Sequence, residues 1–315
     1  MWAETTTAHF DWGLPAPTGI LEPEMLDVDR FLPQYRAQFE DHGLTNGDVI
    51  WVAVPPLAVP WHEAITGCRP RYSIPAGSMA GDHVGGDWTA YDPAALLVNN
   101  PWLDKLIEFT EGLVELSAGR FPVGLPIGRG PWDIAAAYLG HSDVFLELYD
   151  HPDEMRAFGA KLAWLWNEIT RRLAAIIPPW HGGYVNRFGL WTPEMAVMPQ
   201  DDASVSVSGE MYRAVMAPAD GAVLRPWPGA LFHLHSSGLQ VADALIEMLD
   251  GRAMNVVIDD RGPAPDQLVE QFARIQTAGV ALHILAFRPE DVAAFRAGLS
   301  PAGLAITYQP MDTPR

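Results

Sequence analysis

The chain has a single cysteine, few basic residues and no long apolar run. Because Cys68 is the only cysteine, no disulfide can form within the chain, and nothing in the cysteine content argues against a reducing compartment. The chain has 20 basic residues against 39 acidic ones, which gives a formal net charge of −19. With no basic cluster present, this balance excludes broad binding to nucleic acid or to anionic membrane surfaces. We therefore expect small molecules or other proteins as partners.

Membrane insertion and secretion are not expected either. No apolar stretch reaches the length of a membrane span, and the first residues, M-W-A-E-T-T-T, lack the basic and apolar regions of a signal peptide. Hydrophobic residues make up 49% of the 315 residues, which is enough to bury a large core. These features predict a cytoplasmic enzyme and leave a homodimer open.

Strand and helix patterns alternate, most clearly near the end of the chain. There the order is strand, helix, strand, helix, strand, at residues 253–260, 265–278, 280–287, 289–297 and 304–309. Strands that alternate with helices at this spacing form parallel βα units. Because no dinucleotide fingerprint and no linker are found, the pattern favours a single (β/α)8 TIM barrel over a doubly wound sheet.

The N-terminal part supplies the predicted domain boundary. Residues 1–47 are predicted to be an N-terminal extension that ends in a helix over 30–42, and residues 48–315 to be the barrel. Two further buried strands are expected at 48–54 and 121–127, where apolar runs end at proline or glycine.

Two histidines end the apolar stretch A-L-F-H-L-H-S-S-G at residues 230–238. On a strand, side chains two positions apart lie on the same face, so His233 and His235 should point together. Such a pair can supply two imidazole ligands to a metal such as zinc. The alternative is that both imidazoles only form hydrogen bonds with substrate or backbone.

In a barrel of this kind, active sites lie at the C-terminal ends of the strands. Polar residues at such positions are Arg129, His181, Asp201, Asp202, His233, His235, Asp259, Asp260 and Tyr308. Arg129 precedes a helix N-terminus, which suggests a clamp for a carboxylate or phosphate. Asp201 and Asp202 have the alternative of capping a helix, and at most one of Asp259 and Asp260 should face the site.

Several stretches, in their order, carry a family resemblance. They are P-W-H-E-A-I-T-G-C at 60–68, F-P-V-G-L-P-I-G-R-G-P-W-D-I-A-A-A-Y at 121–138, D-D-A-S-V-S-V-S-G-E-M-Y-R-A-V-M-A-P at 201–218, and the histidine strand. Together they resemble the uroporphyrinogen decarboxylase superfamily, which also contains zinc-dependent methyltransferases acting on corrinoid or thiol substrates. The resemblance implies a (β/α)8 barrel.

The chain departs from both branches of that superfamily. The decarboxylases carry R-Q-A-G-R-Y-L-P-E-Y-R after the first strand, whereas the similar R-F-L-P-Q-Y-R at 30–36 precedes it here. The methyltransferases carry His-x-Cys at the position of H-L-H, with another cysteine near the last strand. His233 therefore matches their first ligand, His235 replaces the first cysteine, and the last cysteine has no counterpart.

These features together predict metal-assisted transfer of a methyl or small alkyl group, with zinc on His233 and His235. A carboxylate such as Asp202 or Asp259 is expected as a third ligand, because tight zinc sites have at least three protein ligands. The predicted catalytic residues are Asp202, Asp259, His181 and Tyr308, and the predicted substrate-binding residues are Arg129, Trp132, Tyr138 and Ser236.

Two alternatives remain open at this point. One is decarboxylation of a tetrapyrrole or another polycarboxylate, with Arg129 holding a carboxylate. The other is a corrinoid- or porphyrinoid-binding protein without catalysis, since fold alone does not establish activity. A corrinoid also remains open as a substrate, or a corrinoid protein as a partner.

Overall fold

The computed structural model describes residues 2–4, 10–42, 45–46, 48–75 and 78–309. Its α-helices are α1 (Val28–His42), α2 (Trp61–Ile65), α3 (Pro101–Ser117), α4 (Pro131–Leu139), α5 (His141–Asp150), α6 (Pro152–Ala174), α7 (Gly209–Met211), α8 (Ala217–Leu224), α9 (Ala242–Leu249), α10 (Pro265–Thr277) and α11 (Pro289–Gly298). A π-helical segment, Tyr212–Met216, joins α7 to α8. Within the described ranges, no helix has the length and apolar character that crossing a bilayer requires.

The strands are short before residue 229 and longer after it. They are β1 (Trp2–Glu4), β2 (Thr18–Ile20), β3 (Thr45–Asn46), β4 (Val49–Ile50), β5 (Arg69–Ser73), β6 (Ser78–Asp82), β7 (Gly128–Arg129), β8 (Tyr184–Val185), β9 (Trp191–Thr192), β10 (Ala196–Val197), β11 (Pro199–Gln200), β12 (Gly229–His235), β13 (Ala253–Val257), β14 (Ala281–Ala286) and β15 (Leu304–Tyr308).

The main sheet has eight strands in the order β1-β15-β14-β13-β12-β11-β7, with β10 also paired to β12. All of its pairings are parallel. The histidine strand, β12, pairs with β13. Three smaller antiparallel sheets are β2-β5-β6, β3-β4 and β8-β9. The molecule is thus a mixed α/β protein with a large parallel sheet, consistent with a barrel-like fold.

The strands expected at 48–54 and 121–127 are where the expectations from sequence were wrong. In residues 48–54 only β4 is a strand, and it pairs antiparallel with β3. A single parallel bridge, Ala53 to Val123, joins the regions that were expected to form two strands. Prolines explain the short pairing, because Pro122 and Pro126 have no N–H to donate to a ladder. In the described part of the chain, no ladder connects β7 to β1, so the pairing does not run round a full circle.

The boundary predicted at residue 47 remains a prediction, and β1, which lies before it, pairs with β15 in the main sheet. The helix expected over 30–42 is present as α1. α3 begins where Asn100 accepts hydrogen bonds from the N–H groups of Trp102 and Leu103, which satisfies donors that a helix N-terminus leaves free.

The two faces of the sheet have different surroundings. Most buried apolar side chains, including Phe232 and Leu234 of β12, belong to one large cluster that also includes the helices. Leu231, on the opposite face of β12, belongs to a small cluster with Met198, Val257 and other residues. Because side chains alternate along a strand, His233 and His235 share the face of Leu231. We call this the inner face.

Candidate functional site

Three ligand atoms, one each from Asp202, His233 and His235, lie within 4.8 Å of one another. Asp202 follows β11, whose Gln200 is paired in register with His233. The two histidines are the last inner-face residues of β12. Parallel strands place their C-terminal ends at the same edge of the sheet, which is why residues distant in sequence meet here.

The imidazole of His233 is held by Asn255 on the neighbouring strand. Its Nδ1 lies 2.5 Å from Asn255 Oδ1, and the Asn255 amide nitrogen donates to the His283 carbonyl oxygen at 3.2 Å. A carbonyl can only accept, so the amide nitrogen must face His283 and Oδ1 must face His233. His233 Nδ1 therefore carries the proton, and its Nε2 is left with a free lone pair.

The same hydrogen-bonded row continues to the last strand. Asn255 Nδ2 donates to His283 Nδ1 at 2.9 Å, and His283 Nε2 donates to Thr307 Oγ1 at 2.9 Å. Burial lowers the pKa of His233 to about 4 and the pKa of His283 to about 3, so both rings are neutral at pH 7. We call His233, Asn255, His283 and Thr307 the polar row, which crosses β12 to β15.

His235 is oriented by Asp259. Its Nδ1 lies 2.6 Å from Asp259 Oδ1, while the other carboxylate oxygen accepts from Ser237 N at 2.9 Å and from Ser236 Oγ at 3.3 Å. Burial alone would raise the pKa of Asp259, but these hydrogen bonds bring it below its usual value. The charged carboxylate fixes the ring so that Nε2 points to Asp202, 3.6 Å from its Oδ1.

The Asp202 carboxylate presents one free oxygen to the histidines. Oδ2 accepts from Gln200 Nε2 at 2.5 Å and lies 3.4 Å from an Arg129 nitrogen. Oδ1 is buried and has no hydrogen-bond partner, which is costly unless something else contacts it. Two imidazole lone pairs and one carboxylate oxygen suit a divalent metal with an open position. Asp202 thus has the carboxylate oxygen that lies with the two imidazoles, and Asp259 has the carboxylate that orients the His235 ring.

Arg129 is surrounded by carboxylates. Its guanidinium lies 3.5 Å from Glu63, 3.3 Å from Asp133 and 3.4 Å from Asp202. Burial raises the pKa of Asp133 to about 7, and the nearby charge of Asp202 adds to this effect. The guanidinium thus pairs with acidic groups of the protein itself, and its predicted binding of an anionic substrate stays a prediction.

Asp201, next to Asp202, has a different role. Its Oδ1 accepts from the N–H groups of Trp132 and Asp133 at 2.9 Å and so caps α4. A Cβ at Gly130 would lie 2.6 Å from Asp201 Cγ, so the cap requires glycine there. Burial and the neighbouring Asp220 raise the pKa of Asp201 well above its usual value. Asp201 therefore caps α4 and not the segment Asp202–Ser206 that follows it in the chain, where its side chain makes no cap.

Comparison with known proteins gives a fold relationship and no family. No protein-family profile matches the chain, and no curated protein matches it. Among solved structures, a methyltransferase from Methanosarcina mazei is similar, with a TM-score of 0.64 over 91% of this chain and 82% of that one. The two sequences are 10% identical, so the similarity concerns the fold alone.

Four other predicted residues make their described contacts with residues other than Asp202, His233 and His235. Trp132 is fully buried and donates from its indole to Met216 O, and the half-buried Tyr138 packs against Tyr91 and Phe158. His181 is exposed before β8, with a left-handed backbone and its ring against Trp180. Tyr308 is half-buried at the end of β15. Their roles in catalysis or substrate binding stay predictions.

Several residues around the site were not identified from the sequence. Asn255 could have been predicted to form side-chain hydrogen bonds. It is a polar residue inside the apolar strand A-M-N-V-V, and buried polar groups need partners. The sequence evidence for Glu63 and Asp133 was weaker, since it consists only of their position in the first turn of a helix that follows an expected strand. Their convergence on Arg129 depends on the tertiary fold.

Proposed function

We propose that this chain is an enzyme that transfers a methyl or small alkyl group, with zinc held by Asp202, His233 and His235. The observation that carries the proposal is the convergence of two imidazole lone pairs and an unpaired carboxylate oxygen at one edge of the parallel sheet. A bound zinc ion would supply Lewis acidity, which lowers the pKa of a coordinated acceptor group.

The protein's own groups prepare this site in three ways. Asn255 and Asp259 fix the tautomers of His233 and His235, as partners of metal-bound histidines generally do. Arg129 offsets the charge of Asp202 and of the acidic groups beside it. The neutral state of His233 at pH 7 keeps its Nε2 available without competition from a proton.

The fold relationship supports this choice among the alternatives. The similar solved structure is a methyltransferase, and the order of motifs resembles the uroporphyrinogen decarboxylase superfamily. We extend the proposal to a closed (β/α)8 barrel, in which the Ala53 to Val123 bridge belongs to the missing part of the circle. We keep a corrinoid in the proposal as a substrate, or a corrinoid protein as a partner.

The test is metal stoichiometry in protein purified without a histidine tag, loaded with excess zinc and then desalted. We expect about one zinc ion per chain in the wild type and in His181→Ala, whose exposed ring lies against Trp180. His233→Ala and His235→Ala should lose the ion while circular dichroism shows an unchanged fold.

Two results would contradict the proposal. A metal-free wild type that turns over a polycarboxylate would establish the decarboxylase alternative. Specific retention of iron in preference to zinc would point to a different reaction, because a site of two histidines and one carboxylate also serves non-haem iron.

A further inference from the structure

Arg187 lies in a short turn between β8 and β9. Hydrogen bonds to the backbone groups of this turn hold it in place. The Asn186 side chain accepts from Phe188 N at 2.9 Å and from Leu190 N at 3.3 Å. Gly189, with a φ of 72°, accepts through its carbonyl from Ile50 N at 3.0 Å. The turn therefore presents Arg187 from a defined backbone position.

Among the residues that the structure describes, the guanidinium of Arg187 has no acidic partner. Its central carbon lies 4.5 Å from the centroid of the Phe188 ring, and Nε is buried without a hydrogen-bond acceptor. Within the described ranges, no carboxylate or carbonyl accepts a hydrogen bond from this side chain. Arg129, by contrast, is within 3.5 Å of three carboxylates.

A half-buried cation without a counter-charge is unfavourable for folding. Burial lowers the pKa of Arg187 to about 10, so the group is still charged at neutral pH. The chain contains 39 acidic residues, yet none of those described pairs with it. Such an arrangement is typical of a group whose partner is a ligand, since guanidinium binds carboxylate and phosphate through two parallel hydrogen bonds.

Arg187 lies close to the candidate site. The Phe188 ring that it covers is 4.5 Å from the ring of His283, and Phe188 belongs to the small inner-face cluster. The positive charge of Arg187 contributes to the lowered pKa of both His233 and His283. The guanidinium is thus on the inner face, beside the polar row that orients a predicted metal ligand.

We infer that Arg187 binds an anionic group of the substrate, a carboxylate or a phosphate, on the inner face beside the polar row. Assigning this anion to the substrate rests on the proposed function, whereas anion binding itself does not. Arg187 and the three predicted metal ligands would then hold two different parts of one molecule. The substrate class is accordingly an anionic small molecule.

The experiment measures anion binding to chelator-treated protein, so that its outcome is independent of metal binding. Inorganic phosphate and acetate are titrated separately by calorimetry at constant ionic strength, and thermal unfolding is followed in parallel. We expect saturable binding of at least one anion to the wild type. Binding of phosphate alone would assign a phosphate group, and binding of acetate alone a carboxylate.

Arg187→Gln should weaken that binding about tenfold or more, since hydrogen bonds to charged groups are lost. Arg187→Lys keeps the positive charge and should retain part of the anion binding. The control is Arg213→Gln, which removes an exposed arginine paired with Glu247 and should bind as the wild type does. Without anion, Arg187→Gln should unfold at the same or a higher temperature, which a purely structural arginine would not allow.

The inference is overturned if neither anion binds the wild type saturably, or if Arg187→Gln binds equally well. Loss of stability in Arg187→Gln without any anion present would overturn it too. If anion binding depends on Arg187 while zinc binding fails, the anion site stands and the transferase proposal falls.

Discussion

His235 and Asp259 form a close pair, with Nδ1 and Oδ1 2.6 Å apart. Because the carboxylate fixes the ring that offers Nε2 to a metal, Asp259→Asn should raise the zinc dissociation constant about 10- to 100-fold. Competition with a chromogenic chelator measures the constant. The neighbouring, exposed Asp260 provides the control, and an equal effect in Asp260→Asn would show that charge near the site matters rather than the hydrogen bond.

The polar row should contribute to stability as well as to ligand geometry. Asn255→Leu leaves His233 Nδ1 and His283 Nδ1 without partners, and each buried unsatisfied group costs about 1–3 kcal/mol. Urea unfolding measures the loss. Thr307→Ser is the control, because it keeps the oxygen that accepts from His283 Nε2, and it should change the free energy of unfolding much less. Equal losses in the two variants would mean that packing, not hydrogen bonding, is responsible.

Arg129 should be a stabilising residue. Arg129→Met leaves Glu63, Asp133 and Asp202 without their shared cation, and breaking such a buried pair typically costs about 3–5 kcal/mol. Burial raises the pKa of Glu63 and the pKa of Asp133. The loss should therefore be larger at pH 8 than at pH 5, where these two carboxyl groups can take up protons. Arg71→Met removes an exposed pair with Asp82 and should cost about 0–1 kcal/mol. Similar losses in the two variants would contradict the buried network.

Asp220 should make the protein less stable as the pH rises. Burial raises its pKa from 3.8 to about 6, so the folded state holds the proton more tightly than the unfolded state. This contribution is fully present below the unfolded pKa and is lost as the pH rises through the folded one.

Asp220→Asn should therefore show a flatter dependence of unfolding free energy on pH between about 4 and 7. Asp243→Asn is the control, because its carboxylate is exposed and paired with Arg274, and it should keep the wild-type slope. Unfolding in urea across this range measures both slopes. An unchanged slope in Asp220→Asn would show that the buried carboxyl group is charged in the folded protein.

The C-terminal half of the fold could be predicted because its strands are long and alternate with amphipathic helices. β12 to β15 follow from that pattern, and so does the common face of His233 and His235. The region around Ala53 and Val123 could not be predicted in the same way. Its apolar runs look like strands, but the prolines within and after them limit pairing, and tertiary contacts decide how much remains.

The positions of the candidate site residues could be predicted in part, but the role of each residue could not. The rule that polar residues at strand ends form the site selected Asp202, His235 and Asp259. It could not tell that Asp202 joins the two histidines in the group of candidate ligand atoms whereas Asp259 orients the His235 ring, because that difference depends on the tertiary fold. The burial of Arg187 could not be predicted from the sequence, since an arginine in a turn usually lies in solvent. Only the fold shows that its Nε is buried.

The π-helical segment Tyr212–Met216 makes the stability of the fold sensitive to the number of residues in this helix. Such a segment holds one residue more than a regular helix would. Tyr212, its first residue, donates to Asp220, which lies beyond the segment in α8, at 2.5 Å. Deleting the exposed Ala214 would let a continuous α-helix form, but would rotate Asp220 by about 100° relative to Tyr212. We expect the deletion to destabilise the fold far more than Ala214→Ser does, so this helix tolerates replacement of its residues but not a change in their number.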